Sequence, residues 1–336
     1  MKESDIRPAE LLREYLRISA SDAEVFFPAS QPETRVLRAC PACGARAHRI
    51  AFHKNGFPLA VCTVCDTLYV TPAPSPDRLA DFYSDSPSQR YWVNTFFPAV
   101  EDARRERIFR PRVKSVLDIL QKMKITANRV VDVGAGTGTF LQEMRNLGFK
   151  GTLTAVEANK DLARLCGERG FETFSGMSSA AVLDPAWQGK ADLAVSFEVF
   201  EHVVSPEDFL RELSVLVRPG GLIMFTGVSG DGFDLRVLGP RATAISPPHH
   251  LNFPGRRGMQ ALLGRLGLKE VLFLTPGVLD VDIVRNALKD DPAAISDAFV
   301  RHLIVDCDEV QQNAFQTFLT ENGLSSHLLA VVQRPE

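Results

Sequence analysis

The chain has 336 residues, of which 45% are apolar and 24% charged, an ordinary balance for about two globular domains of roughly 150 residues each. A net charge of −3 excludes a dominant electrostatic attraction to nucleic acid or to an anionic membrane. The opening MKESDIRPAELL lacks the apolar stretch of a signal peptide, and no apolar run is long enough to span a bilayer. The expected location is therefore the cytoplasm, where thiols stay reduced.

Residues 1–35 form an N-terminal helical segment around LLREYLRI. Then come Cys40, Cys43, Cys62 and Cys65, two C-x2-C pairs separated by eighteen residues. Each pair turns two sulfurs toward one point, so two pairs build a tetrahedral site for Zn²⁺. Asn55-Gly56 between apolar runs reads as a hairpin turn, giving a zinc ribbon over residues 36–72. All four ligand positions are filled by protein, so the expected metal role is structural. His48 and His53 are surplus to coordination and read as hairpin surface residues. Arg38, Arg46, Arg49 and Lys54 against Asp66 make the ribbon mildly basic.

Residues 73–128 begin with the proline-rich TPAPSPDRL and continue as helices, a linker and candidate cover for a cleft. Tyr83, Tyr91, Trp92, Phe96 and Phe97 read chiefly as packing residues. RRERIFRPRVK, Arg104 to Lys114, holds six basic residues and one acid. It reads as a solvated helix face, the sharper alternative being an anion contact for a phosphate on the substrate.

Residues 129–336 alternate strands and helices, which predicts an α/β domain with a parallel sheet and ligands at the strand C-terminal edge. Arg129 to Val133 is a buried strand, VVDVGAGTG turns on three glycines, and Phe140 to Leu147 has helical spacing. The next strand ends at Glu157, twenty-three residues after Gly134, where an acid can accept hydrogen bonds from ribose hydroxyls. The spacing is G-x-G-x-G, not G-x-G-x-x-G, and Asp132 precedes the loop. Asp132 would repel a pyrophosphate and attract a cationic ligand.

VVDVGAGTG, AVEAN (155–159), ADLAVSFEVFEHV (191–203) and LVRPGGLIMF (216–225) together resemble the class I S-adenosylmethionine-dependent methyltransferases, over about residues 110–336. The resemblance implies a doubly wound Rossmann-like sheet, mostly parallel with the last strand antiparallel. It implies that Asp132, Gly134, Ala135, Gly136 and Gly138 contact the methionine portion of S-adenosyl-L-methionine. Glu157 would hold the ribose, and Phe197 and Glu198 would line the cofactor. Phe171 to Ser178 offers Ser175, Gly176 and Met177 where the family often has an acid, so the adenine contact stays unassigned. Ser205-Pro206 reads as a helix start and Pro219-Gly220-Gly221 as its end. Residues 276–325 read as a helical insert capping the acceptor pocket, before a last antiparallel strand, Ser326 to Val332. Cys166 and Cys307 fall in helical patterns as buried thiols.

Methyl transfer from a sulfonium is an in-line displacement, and the enzyme mainly aligns acceptor and methyl carbon. An acceptor that must lose a proton also needs a base. Glu201 and His202 follow the fourth strand, beside the expected methyl group, or else merely begin a helix. The second source is SPPHHLNFP, 246–254. Family members resembling it have a His-Leu-Asn segment facing the acceptor, which singles out His250 with Asn252 as partner. A metal held by His249 and His250 is disfavoured, because adjacent side chains rarely converge on one ion. Ribbon plus core resembles bacterial methyltransferases acting on sugars. The expected acceptor is thus a small molecule, a sugar or sugar-linked intermediate carrying a phosphate or nucleotide. An RNA methyltransferase with a zinc module and a non-catalytic zinc-ribbon interaction protein are the alternatives.

Overall fold

The computed structural model describes all 336 residues. Strands β1 (His48–Lys54), β2 (Phe57–Cys62) and β3 (Leu68–Val70) form the ribbon sheet. Asn55 and Gly56 both take positive φ, 49° and 71°, as a tight hairpin turn with the right twist requires. The main sheet uses β4 (Arg129–Val133), β5 (Thr152–Glu157), β6 (Glu172–Ser175), β7 (Ala191–Ser196) and β8 (Val217–Val228). The short strand β9 (Asn252–Phe253) leaves this sheet, and β10 (Lys269–Leu274) and β11 (His327–Gln333) complete it.

The seven strands run in the order β10-β11-β8-β7-β4-β5-β6. All are parallel except β11, which pairs antiparallel with β8 and with β10. The order reverses at β4, so the loops after β4 and β7 open a crevice at the strand C-terminal ends. Val130, Val131 and Val133 are buried on both sheet faces, the mark of a strand covered on both sides.

Three local expectations change. The N-terminal helix is longer than LLREYLRI, running Ala9–Phe26. The helix Pro206–Leu216, capped by Ser205, stops before the Pro-Gly-Gly turn. Val217 instead pairs with Ala191, and β8 carries Pro219 to Gly221 through a register shift before Leu222. Cys307 lies beyond the helix Ala298–Val305 and is half-buried, while Cys166 is buried with its thiol donating to the Gly136 carbonyl at 3.2 Å.

The ribbon has no core of its own. Ala60, Cys62 and Tyr69 pack with Val131, Phe209 and Met259 of the sheet domain. Phe57, Leu59 and Val70 pack with Leu235, Val284 and Leu319, the last two from the three-helix insert Asp280–Asp290, Ala298–Val305 and Glu309–Glu321. Strand β9 pairs Asn252 with Tyr69 and Phe253 with Leu68. A segment of the sheet domain thereby becomes the fourth strand of the ribbon sheet. Residues 87–122 form one helical rod interrupted by two π-turns, Trp92–Phe96 and Arg105–Phe109.

Candidate functional site

At the end of β4 the chain turns through Gly134, Gly136 and Gly138, all with positive φ. At Gly134 a side chain would also meet Val199 at 2.5 Å, so glycine is required twice over. Gly138 starts the helix Thr139–Asn146, whose first turn leaves N–H groups without intrahelical partners. Glu157 braces this loop. One carboxylate oxygen accepts from the Gly136 N–H at 2.8 Å and the other from the Asn159 N–H at 2.8 Å. Each oxygen keeps a further lone pair for a ligand hydroxyl. Asp132 is 3% exposed. Burial, with Glu157 nearby, pushes its carboxyl up to about 8 against the pull of Arg112. Such a group favours a cationic ligand, which would let it ionise.

After β7, Phe197 packs on Phe140 with centroids 4.7 Å apart and lies under the Arg112 guanidinium at 4.7 Å. Glu198 has positive φ and accepts from Arg112 at 2.8 Å and from the Thr226 hydroxyl at 2.8 Å, with His327 Nε2 at 2.9 Å. Burial alone would raise Glu198, but His327, Arg112 and Thr226 outweigh it and hold the carboxyl well below its usual range. Its carboxylate is therefore a fixed anion at the crevice wall.

Glu201 and His202 lie in the turn that follows, ahead of the helix at Pro206. Their ligand atoms and that of His250 lie within 4.8 Å of one another. The two rings meet edge to face, centroids 4.6 Å apart. His250 Nδ1 is 2.6 Å from the Ala244 carbonyl, so it donates and leaves Nε2 as an acceptor. Tyr83 donates to the His249 carbonyl at 3.2 Å and sits 2.9 Å from His202 Nδ1, which sets the same tautomer in His202. Burial lowers both histidines, His250 to about 4 and His202 well below normal with help from His250 and His249. Burial and the charge of Glu198 raise Glu201 well above the carboxylate range, and its Oε2 has no partner. The two adjacent histidines divide. His249 is 1% exposed and turns to Ser88 at 3.2 Å and Ser19 at 3.4 Å. The carboxylate that the sequence did not place beside the histidine loop is Glu201, so this trio, rather than a His249–His250 pair, could hold a divalent cation.

The four cysteine sulfurs also converge within 4.8 Å, with Cys40–Cys65 and Cys43–Cys62 each at 3.5 Å. A tetrahedron of sulfurs at about 2.3 Å from Zn²⁺ has edges of about 3.8 Å, so the donor set fits that ion. Gly44 takes φ 77° after the first pair. Arg38 then ties the ribbon to the histidine loop. It donates to the carbonyls of Val70 at 2.8 Å, Val204 at 2.7 Å and Leu251 at 2.8 Å, and to Asn252 Oδ1 at 2.9 Å. Asn252 is fully buried and gives its amide to the Val203 carbonyl at 2.6 Å. It anchors the loop carrying His250 without facing an acceptor. Of the four basic ribbon residues, Lys54 is also spent, donating to the Ala242 carbonyl at 2.7 Å. Only Arg46 and Arg49 remain on the surface.

Thr226 and His327 carried no sequence signal as site residues, and Tyr83 and Arg112 stood out only as members of an aromatic cluster and a basic run. Their roles follow from contacts 28 to 166 positions away in the chain. The description "Methyltransferase domain" matches residues 102–272, just over half of the chain. A ubiquinone biosynthesis O-methyltransferase of Caulobacter sp. (strain K31) is 37% identical over 100 residues, 29% of this chain and 39% of that protein. One of Maricaulis maris is 32% identical over 115 residues, 33% of this chain and 45% of that protein. The chain thus spans less than half the length of these curated relatives. A SAM-dependent methyltransferase structure from Archaeoglobus fulgidus is 16% identical and covers 72% of this chain and 100% of that one, with a TM-score of 0.47.

Proposed function

Because the chain belongs to the methyltransferase domain family, we propose that it binds S-adenosyl-L-methionine over the glycine loop and transfers the methyl group to a small-molecule acceptor. The carrying observation is the loop itself, with Asp132 and Glu157 converging on it. Asp132 attracts the ammonium and sulfonium, the glycines admit the backbone to the methionine portion, and Glu157 accepts from the ribose hydroxyls. Phe197 and the Glu198–Arg112 pair form the wall toward the methyl group. The name of the Caulobacter relative supports oxygen as the acceptor atom. The acceptor is a hydroxylated small molecule, a sugar or sugar-linked intermediate.

His250 Nε2 takes the acceptor proton as the oxygen attacks, and Tyr83 fixes the His202 ring beside it. The unpartnered Oε2 of Glu201 favours a second reading of the same trio, in which Glu201, His202 and His250 would hold a divalent cation that would supply Lewis-acid polarisation of the acceptor hydroxyl. Zn²⁺ in the four-cysteine site would stiffen the ribbon that holds the histidine loop. No helix of the structure is long and apolar enough to cross a membrane. With Arg38 and Lys54 turned inward, only Arg46 and Arg49 of the basic ribbon residues face outward toward a nucleic-acid phosphate.

Calorimetric titration with S-adenosylhomocysteine, NADH serving as control, tests cofactor binding. Saturable binding is expected for the first ligand alone, weakened by about 10²-fold in Glu157→Ala. Binding of NADH, or of neither ligand, would sink the proposal. Activity that is lost with EDTA while the cysteine-site zinc is retained, and restored by Mg²⁺ or Mn²⁺, would select the cation reading over the histidine base.

A further inference from the structure

Two arginines behave in opposite ways. Arg38 satisfies its guanidinium with four hydrogen bonds. Arg104 is 9% exposed, and its Nε is buried with no partner. It has no carboxylate within ion-pair distance, and the rings of Trp92 and Phe97 lie 5.9 Å from it. The other four arginines of the basic run are all paired: Arg105 with Asp102, Arg107 with Asp5, Arg110 with Glu106 and Glu143, and Arg112 with Glu198. Glu101, nearby on the rod, is taken by Arg169. An unpaired buried charge is costly to hold, so its retention points to a ligand of opposite sign.

The position of Arg104 agrees. It ends the helical stretch Phe97–Arg104, directly before the second π-turn and one stretch after the first. Such bulges re-aim side chains and are frequent at functional sites. Arg112, which touches Glu198, lies eight residues on along the same rod, about 12 Å away. Trp92, beneath Arg104, contacts Tyr15 at 5.3 Å, and Tyr15 contacts His249 at 5.6 Å. The cation therefore stands on an aromatic row that reaches His249 and, through Tyr83, the ring of His202. A second cation joins it. The Asp5–Arg107 ion pair at 2.8 Å pins the N-terminal segment to the rod within two residues of Arg7. Arg7 has no side-chain partner of its own and is felt electrostatically by Arg104, Glu201 and His250.

We propose that Arg104 and Arg7 form the anion-binding end of the acceptor pocket and recognise a phosphate group carried by the acceptor. This rests on the methyl-transfer reading and deepens it. Two guanidiniums without a direct ion-pair partner suit a phosphate dianion, which planar arginine forks bind bidentately. A single carboxylate would leave one of the two cations unpaired.

The test is titration of inorganic phosphate, and separately of acetate, into protein saturated with S-adenosylhomocysteine. Saturable phosphate binding is expected, tighter than acetate by about tenfold or more and weakened about tenfold or more in Arg104→Gln and in Arg7→Gln. Affinity for S-adenosylhomocysteine should be the same in both variants and the wild type. Phosphate binding that survives both substitutions, or a preference for acetate, overturns the proposal. Loss of S-adenosylhomocysteine binding in Arg104→Gln overturns it too, because Arg104 would then serve the cofactor. Phosphate bound normally by wild type that binds no S-adenosylhomocysteine would leave the anion site standing and defeat the methyl-transfer reading. Folding gives an independent check. Arg104→Met, measured without phosphate, should melt no lower than wild type, because an unpaired buried charge has been removed. A lower melting temperature, with phosphate binding unchanged in Arg7→Gln, would mark Arg104 as a packing residue only.

Discussion

The two sides of the crevice are built on different plans. The glycine-loop side is local: β4, the turn and the helix Thr139–Asn146 are consecutive, and Glu157 closes the unit from the next strand, 21 residues from Gly136. The histidine side is assembled from distant pieces. His202 follows β7, His250 sits on a loop that pairs with the ribbon, Tyr83 comes from the helix Pro76–Asp85, and Arg38 locks loop to ribbon. A local site can bind its ligand after damage elsewhere, whereas an assembled site fails when any scaffold piece is lost. The four-cysteine cluster, remote in chemistry from methyl transfer, therefore belongs mechanically to the acceptor side.

The largest expected effect tests that assignment. Cys62→Ser should lose zinc, measured by atomic emission, and destabilise the fold by more than about 4 kcal/mol, since it removes a ligand within a shared core. The folded fraction should turn over slowly yet bind S-adenosylhomocysteine with unchanged affinity. If turnover per folded molecule is normal, the ribbon does not position the histidine loop. Next, His250→Ala and His202→Ala should each lower turnover by about 10²- to 10³-fold and leave cofactor binding intact. Full activity in both would remove the histidines from the mechanism. Glu157→Ala should then weaken S-adenosylhomocysteine by about 10²-fold, the loss of two hydrogen bonds to a charged acceptor. Its thermal stability should fall far less than that of Cys62→Ser.

The smallest effect is a pH dependence on the glycine-loop side. Asp132 has its carboxyl raised to about 8 in the free protein. Binding a cationic ligand favours the carboxylate, so below pH 8 a proton must be released on binding. Affinity for S-adenosylmethionine should weaken by up to about tenfold as pH falls from 8 to 7, and level off above 8. Asp132→Asn should flatten the profile, as read by titration across that range. A flat wild-type profile would mean that Asp132 is already ionised before the ligand arrives.

Much of the glycine-loop side was legible in the residues. Three glycines at alternate positions, an acid before them and an acid after the next strand encode a turn and its partners within 26 residues of chain, Asp132 to Glu157. The cysteine quartet and the Asn55-Gly56 turn were legible for the same reason, because tight turns are set by the residues within them. The histidine loop was half legible. Its composition marked it out and the His-Leu-Asn segment pointed to His250, but nothing in SPPHHLNFP showed that His249 would turn away to Ser88 and Ser19. Asn252 looked like a partner for His250 and proved to be an anchor. The run Arg104 to Lys114 read as a solvated face, because pattern shows charge but cannot show which cation a partner neutralises.

What the sequence alone determined is therefore the set of units whose physics is short-range: the α/β alternation, the glycine turn with its acids, and the paired cysteine turns. What only the tertiary structure decided is the merging of ribbon and sheet domain, the convergence of Glu201, His202 and His250, and the isolation of Arg104. Those outcomes depend on contacts such as Arg38 to Asn252, 214 residues apart, and Tyr83 to His202, 119 apart. Burial and hydrogen-bond satisfaction over such separations are properties of the packed chain, and no local pattern encodes them.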